Sequence, residues 1–141
     1  MPEWLNQVLQ TNGEPQIIDR DGAKASVYAW NYSEGIVPVI NQLLELDTET
    51  AYAYTCDPCV VHISKLKNEG GFCGYRNIQM QWSYIVNSKF QGHDYFGGKI
   101  PTIFDIQNTI DMAWSDGINA YDRIKTGGIK GSRRYIGTPE V

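Results

Sequence analysis

The sequence has no apolar run approaching the roughly 18 residues that a bilayer-spanning helix needs, so no membrane segment is read. Its first ten residues carry Glu3 and no basic cluster, which gives no sign of a secretory or organellar leader. Positive charge is short as well. The 12 Lys and Arg are scattered and outnumbered by 16 Asp and Glu, for a net charge of −4, so the chain lacks the basic stripe of a nucleic-acid binder. Protein or small-molecule partners are expected instead. Cysteine is limited to three residues, which cannot all pair. With no secretory signal they are read as reduced thiols in the cytoplasm or nucleus. Only two histidines are present, which bounds any choice of catalytic base or metal ligand. Internal repeats and linker-like stretches are absent too.

What is present fits one globular domain. The 141 residues are 42% hydrophobic and 20% charged. A chain of that length can bury roughly 68–70% of its unfolded surface without disulfide staples. Aromatic residues at 12% argue against disorder, because such side chains contribute most when buried.

Apolar spacing predicts several helices. Trp4, Leu5, Val8 and Leu9 mark a short amphipathic one within Met1 to Gln10, before the turn-like Thr11 to Pro15. Asp19 to Gly22 is a turn signal, and Ala23 to Tyr32 has no assignable period. Ile36, Val37, Ile40, Leu43 and Leu44 predict a helix to about Glu45, with Pro38 tolerated in its first turn. Tyr75, Ile78, Trp82, Ile85 and Val86 share one face of a helix that begins at Cys73, so Trp82 is expected in the core. Thr102 and Asp105 have capping-box form ahead of Ile103, Ile106, Ile110, Ala113 and Trp114, with Gly117 as the stop. Gly127, Gly128 and Gly131 mark a loop, Arg133 and Arg134 read as a solvated pair, and Arg134 to Gly137 as a short strand or connector. Thr138, Pro139 and Glu140 are helix-start residues just before the last residue, from which the sequence is expected to be a piece of something longer.

Chemistry concentrates at the cysteines. Cys73 follows Gly70-Gly71-Phe72 and precedes Gly74 at a helix start, where the partial positive charge favours a thiolate and backbone N–H groups can serve an oxyanion. It is a candidate nucleophile; the alternative is a small packed thiol. A histidine base on this chain would have to be His62 or His93, and neither is favoured, so the base of a catalytic Cys73 is expected to be missing from this chain. His93 follows Cys73 by 20 residues, beyond a helix that puts it ~25 Å from the sulfur at ~1.5 Å per residue. His62 is nearer in sequence, and also reads as a hydrogen-bonded histidine beside Val60 and Val61. Cys56 and Cys59 form a CxxC that, with His62 and Cys73, has the composition of a structural zinc site, against a reading as packed thiols.

The run Phe72-Cys73-Gly74-Tyr75-Arg76-Asn77-Ile78-Gln79-Met80, then Ile100 to Ile103, Ile106-Gln107, Ala113-Trp114, Gly117 and Tyr135 to Val141, resembles the ubiquitin-fold-modifier-specific protease family, most of all its zinc-finger-containing deubiquitinase branch. The resemblance implies a papain-like cysteine protease of the α/β (α+β) class, of which this chain is a helix-rich N-terminal portion lacking much of the central sheet. It implies an N-terminal helical extension over residues 1–50 and, over 51–141, the first part of the peptidase domain. It implies cleavage after the C-terminal glycine of ubiquitin or a ubiquitin-like modifier, with those modifiers and their conjugates as partners and no cofactor, metal, nucleic acid or membrane. Cys73 takes the nucleophile's position, while the His and Asp of this family lie on strands far downstream and match no residue here. The family's usual Gly-Trp-Gly before the nucleophile appears here as Gly70-Gly71-Phe72, so the residue beside the cysteine gains a bulky side chain, and Val61 stands where the modifier-processing members have an oxyanion Tyr, which favours the deubiquitinase branch. The alternatives are an inactive relative that only binds a ubiquitin-like protein, or a small zinc-binding module built on Cys56, Cys59 and His62.

Overall fold

The computed structural model describes residues 1–11, 16–20, 23–27 and 31–137. They form five helices and two antiparallel strand pairs, a helix-rich mixed α/β arrangement. The helices are α1 (Glu3–Thr11), α2 (Ile36–Leu46), α3 (Cys73–Asn87), α4 (Ile103–Ser115) and α5 (Ala120–Thr126). Strand β1 (Gln16–Arg20) pairs with β2 (Ala23–Val27) in the register Gln16 to Val27, and β3 (Tyr32–Ser33) pairs with β4 (His62–Ile63) in the register Tyr32 to Ile63. Of the turn signal at Asp19 to Gly22, Asp19 and Arg20 lie in β1, paired with Lys24 and Ala23, and the other two lie outside the described residues. The expected helix start at Thr138 to Glu140 lies outside the described residues. No helix among those described is long and apolar enough to cross a membrane.

Helix α4 follows its sequence pattern. Thr102 Oγ1 accepts from the Asp105 amide at 3.1 Å while the Asp105 carboxylate accepts from the Thr102 amide at 2.9 Å, a reciprocal cap that satisfies two of the orphan donors at a helix start. Ile103, Ile106, Ile110 and Trp114 then fall on one face and are buried. Gly117 takes φ 90° just past the end, a left-handed conformation glycine adopts without cost. Leu5 and Leu9, one turn apart on α1, pack into the same core with Leu66, Phe72, Tyr75, Ile129 and Ile136. A second cluster gathers Tyr32, Val61, Ile63 and Ile100, with Met80 of α3 against it.

Helix α3 departs from its pattern. Its buried side chains are Tyr75, Arg76, Gln79 and Ser83, whereas Ile78, Trp82 and Ile85 are only partly covered. At 100° per residue the buried arc lies roughly 90° from the apolar arc. The cause is a polar network. Arg76 is 2% exposed and Glu69 is fully buried. The guanidinium donates to Glu69 Oε2 at 2.8 Å and to Oε1 at 3.3 Å, and to Gln79 Oε1 at 2.8 Å. Gln79 in turn donates to the Pro101 carbonyl at 2.7 Å and to the Tyr32 hydroxyl at 3.3 Å, so one connected chain of polar groups links the two hydrophobic clusters. Trp82 is not a core residue. It packs edge-on against Phe96 and Tyr95, with ring centroids 4.9 and 6.3 Å away, in an aromatic group beside the C-terminal half of α3.

Removing one member of a buried ion pair strands the other. Glu69→Ala is therefore expected to cost about 3–5 kcal/mol, against about 1 kcal/mol for Thr102→Ala at the α4 cap, read from urea unfolding midpoints at unchanged slope. The double replacement Arg76→Met with Glu69→Leu should recover much of the loss; a double variant as unstable as Glu69→Ala would refute the stranded-charge account.

Candidate active site

The start of α3 is assembled from three stretches of chain. Asn68 and Gly70 both take left-handed φ values, 65° and 83°, and the sharp turn between them carries Glu69 inward. The Arg133 guanidinium closes that turn from outside, donating to the Asn68 carbonyl at 2.7 Å and to the Glu69 carbonyl at 3.2 Å. Arg133 is thus a positioning side chain rather than half of a solvated pair. The chain after it lies against the helix start, and two glycines make room. A Cβ on Gly71 would meet the Arg133 carbonyl oxygen at 3.1 Å, and one on Gly74 would meet the Ile136 carbonyl oxygen at 2.5 Å, closer than real Cβ atoms approach.

Cys73 is the first residue of α3 and is exposed. Phe72 occupies the cap position and its side chain makes no capping hydrogen bond to the amides beside the sulfur. The Phe72 ring is turned into the core. It is fully buried and meets Tyr75 edge-on at 5.5 Å, which ties the helix start to the core. A groove of about 240 Å³ begins at Gly74, the next residue along, and runs past Asn77, Ile78 and Gln81 on α3 with Tyr135, Ile136 and Gly137 as its other wall.

Neither histidine reaches this end of the helix. His93 bonds through Nδ1 to the Phe90 carbonyl at 3.1 Å, beyond the far end of α3, whose 15 residues span ~22 Å. His62 is exposed on β4, next to Val61, whose amide donates to Ser83 Oγ at 2.9 Å. That bond fixes position 61 about ten residues along α3 from Cys73, ~15 Å on the helix axis. Val61 is itself buried in the second cluster, far from any oxyanion at the sulfur.

The CxxC does not join them. Among the described residues no group of three His, Cys, Asp or Glu is placed to hold a metal ion, so Cys56, Cys59, His62 and Cys73 do not converge as a zinc site. Cys59 is instead committed to its neighbour. Asp57 Oδ1 accepts the Cys59 amide at 2.9 Å in a local turn, and the Cys59 thiol hydrogen-bonds to the same carboxylate. That bond, with some desolvation and the nearby negative charge, pushes the thiol up from its ordinary range and draws the Asp57 carboxyl down. Asn87 Nδ2 donates to the Cys59 carbonyl at 2.8 Å and holds the turn against α3.

The model of Peptidase family C78 matches residues 49–141. The chain belongs to this family. The segment matched includes α3, α4 and α5, and so family C78 membership covers every element that builds the Cys73 site. Among curated proteins it is similar to zinc finger-containing ubiquitin peptidase 1 of Homo sapiens, 33% identical over 79 residues, and to those of Mus musculus at 32% and Rattus norvegicus at 29%. Each match takes in 55% of this chain and 14% of the relative. No solved structure matches the chain.

The Asp57 contact carries a pH signature. Replacing Asp57 with Asn keeps the acceptor for the Cys59 amide and removes the charge that disfavours the thiolate, so the thiolate forms at lower pH. The midpoint of the Cys59 alkylation rate against pH, followed by peptide mass spectrometry, is expected to move down in Asp57→Asn; an unmoved midpoint would rule out the carboxylate as the cause.

Proposed function

We propose that this chain carries the nucleophile-bearing part of a thiol peptidase that cleaves the bond after the C-terminal glycine of ubiquitin or a ubiquitin-like modifier, with Cys73 as nucleophile. One observation carries the reading: an exposed cysteine on the first residue of a helix whose cap residue, Phe72, makes no side-chain capping bond, inside the segment that matches family C78. The finer assignment, to the zinc-finger-containing ubiquitin peptidase branch, is supported by the relatives' name and by about 30% identity over 79 residues. In this reading residues 51–141 are peptidase domain, residues 1–50 are its extension, and the thiol works in the reducing cytoplasm or nucleus.

The chemistry follows from the helix start. The thiolate attacks the carbonyl carbon of the modifier's terminal glycine, a C–S bond forms, and the oxygen takes the negative charge. Backbone N–H groups of the first turn of α3 stabilise it. Collapse breaks the C–N bond, and the amine leaves with a proton. Water then hydrolyses the thioester to a carboxylate and frees the thiol. Each proton transfer needs a base, which in this reading comes from outside the described residues, since His62 and His93 lie elsewhere. That same observation favours a second reading, a relative that binds a ubiquitin-like protein without cutting it.

Ubiquitin bearing a C-terminal electrophile separates the two. A single adduct on Cys73 is expected, lost in Cys73→Ala and retained in Cys56→Ser and Cys59→Ser. An adduct that persists in Cys73→Ala would remove Cys73 from the role, while binding that survives Cys73→Ala with no adduct in the parent chain would establish the second reading.

A further inference from the structure

Five of the 12 Lys and Arg, a set otherwise scattered, fall within one short stretch near the end of the sequence. Between Arg123 and Arg134 there are five Lys and Arg and no Asp or Glu, in a molecule whose net charge is −4. Three of the five, Arg123, Lys130 and Arg134, line one concavity of about 550 Å³ together with Gly127, Gly128, Ser132 and Asp111. Lys125 is turned to other uses, with its ammonium 3.6 Å from Asp122 and 4.7 Å above the Tyr121 ring, and Arg133 closes the turn before Cys73.

The loop that carries Lys130 and Arg134 is held in place. Gln107 of α4, fully buried, donates to the Ser132 carbonyl at 3.1 Å and accepts from the Gly131 amide at 2.9 Å. Ile129 is fully buried in the main core, and the Ser132 hydroxyl donates to the Ile129 carbonyl at 2.6 Å. Arg123 is oriented from α4 as well, donating to Ser115 Oγ at 3.1 Å with Asp111 at 3.5 Å. Gly127, with φ 66°, lies against the Arg134 guanidinium at ordinary contact distance.

The concavity therefore holds three cations against one carboxylate, and that carboxylate is already matched to Arg123. Among the described residues neither Lys130 nor Arg134 has an acidic partner. Like charges fixed on a tethered loop repel one another, and a bound anion relieves that repulsion. Guanidinium forks and an ammonium suit a compact oxyanion with several acceptor oxygens. We propose that the concavity between α4, α5 and the 127–134 loop is a binding site for a phosphate-class group, either free phosphate or a phosphate ester on a small molecule or peptide. The site is separate from Cys73 and does not depend on the peptidase reading.

The test is titration of the 141-residue chain with inorganic phosphate, pyrophosphate and a phosphoserine peptide, each against chloride at matched ionic strength, followed by amide chemical shifts and thermal unfolding. Shifts confined to Arg123 to Arg134 and a phosphate-dependent rise in unfolding temperature are expected. Lys130→Gln with Arg134→Gln, both at exposed positions, should weaken binding by about tenfold or more. Asp111→Asn should strengthen it by removing the one negative charge in the site. Tighter binding of the phosphopeptide than of inorganic phosphate would assign the ester source, and the reverse the free ion. No response beyond that of chloride, or an equal response in the double variant, would overturn the proposal.

Discussion

The structure depends on Arg76 reaching Glu69 across a buried interface. An ion pair taken out of water carries a desolvation penalty that only close geometry and further hydrogen bonds offset. Here both carboxylate oxygens accept from the guanidinium, and Gln79 takes another of its donors. Burial of this pair turns the polar side of α3 to the inside, because Arg76, Gln79 and Ser83 each find a partner there. It also pins the turn at Asn68 to Gly70, whose carbonyls Arg133 secures from the opposite side. Two arginines far apart in sequence thus hold one loop, one by its side chain and one by its backbone.

That arrangement explains why Cys73 is exposed while Phe72 and Tyr75 on either side of it are buried. Phe72 goes into the core, the Arg133 to Ile136 stretch lies across Gly71 and Gly74, and the sulfur sits at the first position of the helix between them. The glycines matter for what they lack. Any side chain at 74 would displace the Ile136 backbone and, with it, the wall of the adjoining groove. The geometry gives the exposed Cys73 a rigid seat inside the segment that matches family C78.

Legibility in the sequence varied from element to element. The cap and face of α4 were readable from Thr102 to Gly117, because the pattern is apolar and the cap is local. The start of α3 at Cys73 was equally readable from its glycines. Its buried face was not, since hydrophobic periodicity counts Ile78 and Ile85 and gives no weight to an Arg that buries only because Glu69 meets it. Trp82 was misplaced for the same reason. The strand pair β3–β4 escaped notice because two-residue strands have no period, and His62 and Val61 acquire their positions through Ser83 rather than through neighbours in the chain.

Local structure, then, was determined by the sequence alone: the cap of α4 and its stop at Gly117, the place of Cys73 at a helix start and the family motif around it. These rest on interactions between residues a few positions apart, which the order of amino acids specifies directly. Tertiary structure decided which face of α3 is inside, that Arg133 braces the turn before Cys73, that the CxxC and the histidines do not converge, and that Arg123, Lys130 and Arg134 do. Each of those outcomes depends on partners separated by many residues of chain, and a buried charge has no favourable place until its partner arrives there.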